Sequence, residues 1–133
     1  MFHLKDVHHI ALNCSDVVKI ARFFKDILEV PIPEESIVEG EHVYFQIGTY
    51  TRIGLHPYGG EQGKGGVGMV DHIAFSVTSR AELDYLVDKL EAENICYRGP
   101  INRPTSFNLY FETPDGHQLE VRLDKDEFDE MDE

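Results

Sequence analysis

An internal repeat constrains the fold of this chain more than any other feature of its sequence. The stretch VHHIALNC begins at Val7, and the closely similar stretch VDHIAFSV begins at Val70. At the offset of 63 residues between them, His9 falls on His72, and an Ile-Ala pair follows each histidine. Self-similarity at a fixed spacing indicates a duplicated architecture. We therefore predict two copies of one unit, each opening on a strand that carries a histidine at the same place.

Hydrophobic periodicity gives the same order of elements in both copies. Alternating apolar residues predict strands, and apolar residues spaced three and four apart predict a helix after the first strand of each copy. Ser79 and Glu82 have the spacing of a capping box at the start of the second helix. The prediction is an α+β protein made of two tandem βαβββ modules, a strand, a helix and then three strands twice over. The predicted strands cover residues 6–14, 42–47, 51–57, 70–77, 95–98, 107–112 and 118–123, and the predicted helical stripes run from 17 to 28 and from 83 to 90.

Two segments outside the modules have a biased composition. Residues 59–68 contain six glycines and are interpreted as a linker between module 1 (residues 5–58) and module 2 (residues 69–124). The run GKGGVG at 63–68 matches the dinucleotide fingerprint formally, but a strand rather than a helix is predicted to follow, so the match predicts no nucleotide site. Residues 125–133 are interpreted as a solvated acidic tail.

Charge and composition exclude several classes of function. The net charge is −13; the last ten residues hold seven acids and one lysine, which accounts for −6 and leaves −7 for the remainder. Such a surface disfavours nucleic acid and anionic membranes as partners. No apolar run approaches the roughly 18 residues that a membrane span needs. With two cysteines and no apolar leader after Met1, we expect a reduced, cytoplasmic setting.

Three side chains are candidates for metal ligands. If the two modules pack about a pseudo-twofold axis, the repeated strands meet, and His9 and His72 converge on one cavity. Glu120 lies in the last predicted strand between Leu119 and Val121, where an inward carboxylate needs a partner to offset the cost of burial. A metal ion is one such partner, and an exposed Glu120 paired with Arg122 is the alternative. Two imidazoles and a carboxylate suit a divalent iron, manganese, nickel, cobalt or zinc ion.

Residues 109–120, LYFETPDGHQLE, carry the most specific resemblance to a known family. Together with the repeat, they make residues 5–124 similar to the vicinal oxygen chelate superfamily, which includes glyoxalase I, fosfomycin-resistance enzymes, bleomycin-binding proteins and extradiol dioxygenases. The resemblance implies a cup-shaped mixed sheet formed by two βαβββ modules. It also implies one metal ion on His9, His72 and Glu120, and a homodimer.

The fourth ligand position of such proteins departs from the family pattern. An internal alignment at an offset of 66 residues sets Gly54 against Glu120, and glycine has no side chain with which to bind a metal. His56 lies two residues further on the same face and is the nearest replacement as a ligand or a base. An ordinary histidine at a strand end is the other reading.

The resemblance implies a metal-dependent enzyme that acts on a small oxygen-bearing substrate. The reaction expected is that of a lyase, an isomerase or a thiol transferase, with the ion as a Lewis acid. Tyr110 is the candidate hydrogen-bond donor to a substrate oxyanion, and Arg52 and Arg103 are candidate substrate contacts. A metal-free drug-binding protein and a ring-cleaving dioxygenase are the alternatives.

Overall fold

The computed structural model describes residues 2–3, 5, 7–58 and 70–127. The chain divides into two compact units, Met1–Val67 and Gly68–Glu133. The predicted linker at 59–68 and the tail beyond residue 127 lie outside the described residues. The start of the tail, Lys125–Glu127, forms a single 3₁₀ turn.

The first unit contains a three-stranded mixed sheet with β3 in its centre. Strand β1 (His9–Cys14) runs parallel to β3 (Thr51–Pro57), and β2 (Val43–Ile47) runs antiparallel to it. Between the helix and β2, the described residues form a loop with one 3₁₀ turn at Glu34–Ser36. Pro31 and Pro33 account for this loop, because proline cannot donate the backbone hydrogen bonds that a strand or helix interior requires. This unit therefore has one strand fewer than the repeat predicts.

The helix of the first unit changes geometry halfway along the predicted stripe. Helix α1 (Val17–Arg22) begins at Asp16, whose carboxylate accepts a hydrogen bond of 3.1 Å from the Lys19 amide. A wider π-helical turn follows at Phe23–Ile27 and leaves Phe23 and Phe24 both buried. The Phe24 ring packs against Phe45 of β2, with ring centroids 4.8 Å apart. The wide turn explains how two consecutive aromatic residues both reach the core, since consecutive residues of a regular helix point about 100° apart.

The second unit has the predicted βαβββ order. Strand β4 (Ile73–Ser76) precedes helix α2 (Arg80–Ala92), and the strands β5 (Tyr97–Asn102), β6 (Ser106–Glu112) and β7 (Gln118–Asp124) follow. The sheet order is β4-β7-β6-β5, with β4 parallel to β7 and the other neighbours antiparallel. The predicted capping box is confirmed: Ser79 Oγ accepts from the Glu82 amide at 3.2 Å, and the Glu82 carboxylate accepts from the Thr78 amide.

The strand registers confirm that the two units are copies. In the first unit Gly54 of β3 lies between Ala11 of β1 and Tyr44 of β2. In the second unit Glu120 of β7 lies between Ala74 of β4 and Tyr110 of β6. Alanine and tyrosine therefore flank the same position in both sheets, and the α+β class and the alignment of Gly54 with Glu120 are both confirmed. No helix among the described residues is long and apolar enough to span a membrane.

Candidate functional site

Glu120 is a buried carboxylate at the centre of the second sheet. Its neighbours Leu119 and Val121 are buried on the opposite face of β7, because successive side chains of a strand alternate. The Glu120 residue itself is only 4% exposed. The alternative reading of an exposed Glu120 is therefore wrong, and the carboxylate depends on partners within the protein.

His72 is the first of those partners. Its Nε2 atom lies 3.2 Å from Glu120 Oε1, and its Nδ1 atom lies 2.7 Å from Asp71 Oδ2. The position before β4 brings the histidine to Glu120, because β4 lies directly beside β7 in the sheet. The structure thus brings together two of the three predicted metal ligands. Asp71 adds a carboxylate behind the imidazole.

The other oxygen of Glu120 is held by the protein. Asn108 of β6 donates its side-chain amide to Glu120 Oε2 at 2.6 Å, and Ser106 donates in turn to Asn108 Oδ1 at 2.7 Å. Arg122 lies 3.7 Å from the same oxygen, and its pKa is raised chiefly by the hydrogen bond to Asp124, at 2.8 Å. These contacts fix the orientation of the carboxylate and leave Oε1 directed at His72.

The arrangement around His72 fits a cation. When Asp71 accepts from Nδ1–H of a neutral imidazole, Nε2 carries a lone pair that faces the Glu120 oxygen. Two such acceptors at 3.2 Å repel each other unless a positive charge lies beside both. Ligands about 2.1 Å from one ion and at roughly right angles are about 3 Å apart, which is close to this separation. A carboxylate behind a metal-binding histidine is also the usual means of fixing its tautomer.

Tyr110 lies next to Glu120 in the adjoining strand and contacts two arginines. Arg103 donates to the Tyr110 hydroxyl at 3.3 Å, and the guanidinium carbon of Arg98 lies 4.6 Å from the centroid of the ring. Arg98 is the register partner of Tyr110 in β5, after which the strand contains a bulge. Gly99 is required in that bulge, since a Cβ there would lie 2.4 Å from the Asn108 carbonyl oxygen and φ is +109°.

The equivalent position in the first unit is filled differently. The ring of Tyr44 lies over Gly54 so closely that an added Cβ would lie 2.6 Å from Tyr44 Cε1 and 3.0 Å from His56 Nε2. The Tyr44 hydroxyl is 3.2 Å from His56 Nε2, and His42 stacks on His56 with ring centroids 4.2 Å apart. His56 is a buried residue of β3, so its prediction as a loop-edge histidine is wrong.

The remaining predicted residues lie in the first unit on exposed positions. His9 opens β1, and its Nδ1 atom is 2.9 Å from His8 Nδ1. Arg52 is the register partner of His9 in β3, and its guanidinium carbon lies 5.7 Å from the Tyr44 ring centroid. Sequence reasoning missed Asp71 and Asn108, although each stands at a predictable place, one beside the candidate histidine and one two residues before Tyr110.

The family of the chain follows from comparison with protein-family models. The model of the glyoxalase/bleomycin resistance protein/dioxygenase superfamily matches residues 6–121. The chain belongs to this superfamily, and the predicted resemblance is confirmed. A comparison with curated proteins found no match.

Solved structures of similar fold include proteins described as enzymes and one described as a binding protein. A glyoxalase/dioxygenase from Nostoc punctiforme is 24% identical with a TM-score of 0.72, and covers 90% of this chain and 91% of its own. A lactoylglutathione lyase from Agrobacterium tumefaciens is 21% identical with a TM-score of 0.72, covering 90% and 94%. The antibiotic binding protein TnmS3 from Streptomyces sp. CB03234 is 16% identical with a TM-score of 0.70, covering 93% and 99%. At these identities the likeness shows the fold alone.

Proposed function

We propose that the protein is a metal-dependent enzyme of its superfamily, which acts on a small substrate that offers oxygen atoms to a divalent cation. His72 and Glu120 hold the cation, and His9 of the first unit supplies the third ligand that the family pattern implies. The observation that carries the proposal is the pair of facing acceptor atoms, His72 Nε2 and Glu120 Oε1, 3.2 Å apart. An iron, manganese, nickel, cobalt or zinc ion suits this mixture of nitrogen and oxygen ligands.

The outer contacts support the same assignment. Asp71 holds the tautomer of His72, and Asn108 holds the orientation of Glu120, so both ligands are fixed before an ion arrives. A structural ion pair would require none of this separation of roles between the two carboxylate oxygens. In the metal-free protein, an imidazolium that donates to both Asp71 and Glu120 satisfies the same atoms.

The chemistry divides between the ion and the chain. A bound divalent ion supplies Lewis acidity, worth several kcal/mol of stabilisation to a developing negative charge. Tyr110, next to Glu120 across the strand pair, orients the substrate through its hydroxyl, which Arg103 polarises by donating to it. His56 is the candidate base, and its hydrogen bond to Tyr44 sets its orientation. The reaction class that fits is that of a lyase, an isomerase or a thiol transferase.

Metal binding by the full-length chain, purified without a chelating column, tests the proposal. We expect about one equivalent of a divalent ion by elemental analysis and a single site by calorimetry of chelator-treated protein. His72→Ala and Glu120→Gln should each reduce the affinity by more than the roughly 10–100-fold that loss of an outer hydrogen-bond partner causes. Asp71→Asn should fall within that smaller range.

His3→Ala is the matched control, because His3 is an exposed histidine outside the site. His9→Ala tests the third ligand separately, and His56→Gln should lower turnover without changing the metal affinity. Absence of metal binding, or equal affinity in wild type and His72→Ala, would overturn the proposal. Unchanged thermal stability after chelation together with tight binding of a neutral drug would instead favour the metal-free binding protein.

We also propose that the protein acts as a homodimer, as the family resemblance implies. Light scattering coupled to size exclusion should give about twice the mass of one chain, and a mass of about 15.2 kDa at micromolar concentration would contradict it.

A further inference from the structure

Two arginines converge on a single tyrosine in the second unit. The Arg103 guanidinium donates to the Tyr110 hydroxyl, and the Arg98 guanidinium lies over the ring of the same residue. The two arginines come from opposite sides of the bulge in β5, which places both at one side chain. Two like charges held this close repel each other, so an anion bound between them would be stabilised.

Neither of these arginines is neutralised by the protein. Three other arginines each pair with a carboxylate, namely Arg22 with Glu34, Arg80 with Asp84 and Arg122 with Asp124. Among the described residues, Arg98 and Arg103 form no ion pair with an acid. In a chain of net charge −13, two neighbouring guanidiniums without an acidic partner indicate a site that receives its anion from outside.

A groove beside Tyr110 provides the space for a ligand. It has a volume of about 370 Å³, and Arg98, Tyr110 and Gln118 are among the residues that line it. Glu112 also lines the groove, two residues beyond Tyr110 in β6, so the positive end of the groove is the one at Arg98. Strand alternation puts Arg98, Tyr110 and Gln118 on the same face of the sheet as Glu120.

The groove and the buried carboxylate belong to one row of the sheet. Arg98 pairs with Tyr110, and Tyr110 pairs with Glu120. Because neighbouring strands are about 4.8 Å apart, the backbone positions of Arg98 and Glu120 are separated by about 10 Å. A small molecule can span that distance with a few bonds.

We propose that Arg98, Arg103 and the Tyr110 hydroxyl form an oxyanion subsite, which binds a carboxylate, phosphonate or phosphate group of the ligand. The substrate class is therefore a small organic anion, whose charged group lies about two strands from the oxygen atoms directed at Glu120. The link to Glu120 rests on the proposed function, whereas the subsite itself does not.

Titration of the chelator-treated, full-length protein with inorganic phosphate, methylphosphonate and acetate tests the subsite. The readout is the NMR signal of the arginine Nε–H groups, assigned by Arg98→Gln and Arg103→Gln. We expect saturable shifts confined to these two arginines with at least one of the three anions, and the strongest anion identifies the chemical source. The double variant should weaken that binding at least tenfold, and added salt should weaken it further.

Arg80→Gln is the matched control, since its guanidinium also lies 4.6 Å from a ring centroid, that of Phe107, but already has Asp84 as a partner. It should bind the anion as the wild type does. Binding of none of the three anions, or equal binding by the double variant, would overturn the subsite.

A metal titration separates the two proposals. The double variant should bind divalent ions with wild-type affinity. Anion binding by a protein that binds no metal would leave the subsite standing and the proposed function refuted. Metal binding without anion binding would give the reverse result.

Discussion

The two copies of the repeat share a sheet position at which they differ most. In the second unit the position is Glu120, flanked by Ala74 and Tyr110, and in the first it is Gly54, flanked by Ala11 and Tyr44. Where the carboxylate is present, the tyrosine turns to two arginines. Where it is absent, the tyrosine ring takes the space over the glycine and its hydroxyl meets His56.

The surroundings of the position differ in the same way. Asn108 and Arg122 are register partners in the second unit and contact Glu120 Oε2. The residues 66 positions earlier are His42 and His56, whose rings stack on each other. One copy is therefore built to hold a buried charge, and the other closes the same place with aromatic rings. Duplication supplied two equivalent frames, and side-chain substitution gave them different chemistry.

The largest effect that would break this comparison is loss of the buried carboxylate. Glu120→Ala leaves the amide of Asn108 and the nearby guanidinium of Arg122 without their partner, so we expect the free energy of unfolding to fall by about 2–3 kcal/mol. Urea denaturation of the metal-free protein measures it. Glu112→Ala, an exposed glutamate on the same face, should change stability by less than about 0.5 kcal/mol. Equal effects of the two variants would show that Glu120 is not held as described.

The aromatic closure of the first unit is tested by adding a methyl group beneath Tyr44. Gly54→Ala forces the ring away from its hydrogen bond to His56, and we expect a loss of about 1–2 kcal/mol. Combined with Tyr44→Ala, the same substitution should cost much less, so a double-mutant cycle should give a clear coupling energy. Strictly additive losses would contradict the packing of the ring on Gly54.

The helix caps test where the two units remain alike. Asp16 and Ser79, 63 residues apart, each accept a hydrogen bond from the amide three residues later. Replacing either by alanine should lower stability by about 1 kcal/mol, because one helical amide loses its acceptor. Thermal unfolding of Asp16→Ala and Ser79→Ala measures both, with Ser79→Thr as a variant that retains the acceptor. A loss confined to one unit would show that the copies do not share this device.

The smallest expected effect belongs to an ion pair of the first unit. The Arg22 guanidinium binds Glu34 through two hydrogen bonds of 2.5 and 2.6 Å and holds the pKa of that carboxyl below its usual range. A lowered folded-state pKa means that the stabilisation is present above the unfolded-state pKa and is lost as the pH falls through the folded-state pKa. Glu34→Gln should therefore narrow the difference in urea midpoint between neutral and acidic pH slightly, and high salt should reduce the effect. An unchanged pH dependence would show that the pair contributes nothing.

Much of this arrangement could be predicted from local patterns. The offset of 63 residues paired the two histidine strands, and the offset of 66 paired Gly54 with Glu120, as the strand registers confirm. The π-helical turn at Phe23–Ile27 could not be predicted, because apolar spacing alone does not distinguish it from a continuing α-helix. The missing strand of the first unit was hidden for the opposite reason, since the repeat suggested it and the prolines prevented it.

The site was predicted only in part. The sequence named His72, Glu120, Tyr110 and Arg103, and family resemblance together with the buried-carboxylate argument was enough for the first two. It could not show that Asp71 and Asn108 orient those two ligands, because an exposed acid and a strand amide have many ordinary roles. The assignment of His9 as the third ligand stays a prediction.

By itself, the sequence determined the duplication, the order of elements in the second unit and the residue types available at each repeated position. These properties are local, since they depend on periodicity, caps and turn residues that act over a few positions. Only the tertiary structure decided that Glu120 is buried, that its two oxygens have different partners and that two arginines share one tyrosine. Those facts depend on strand register, which places residues together that lie 12 to 48 positions apart in the chain.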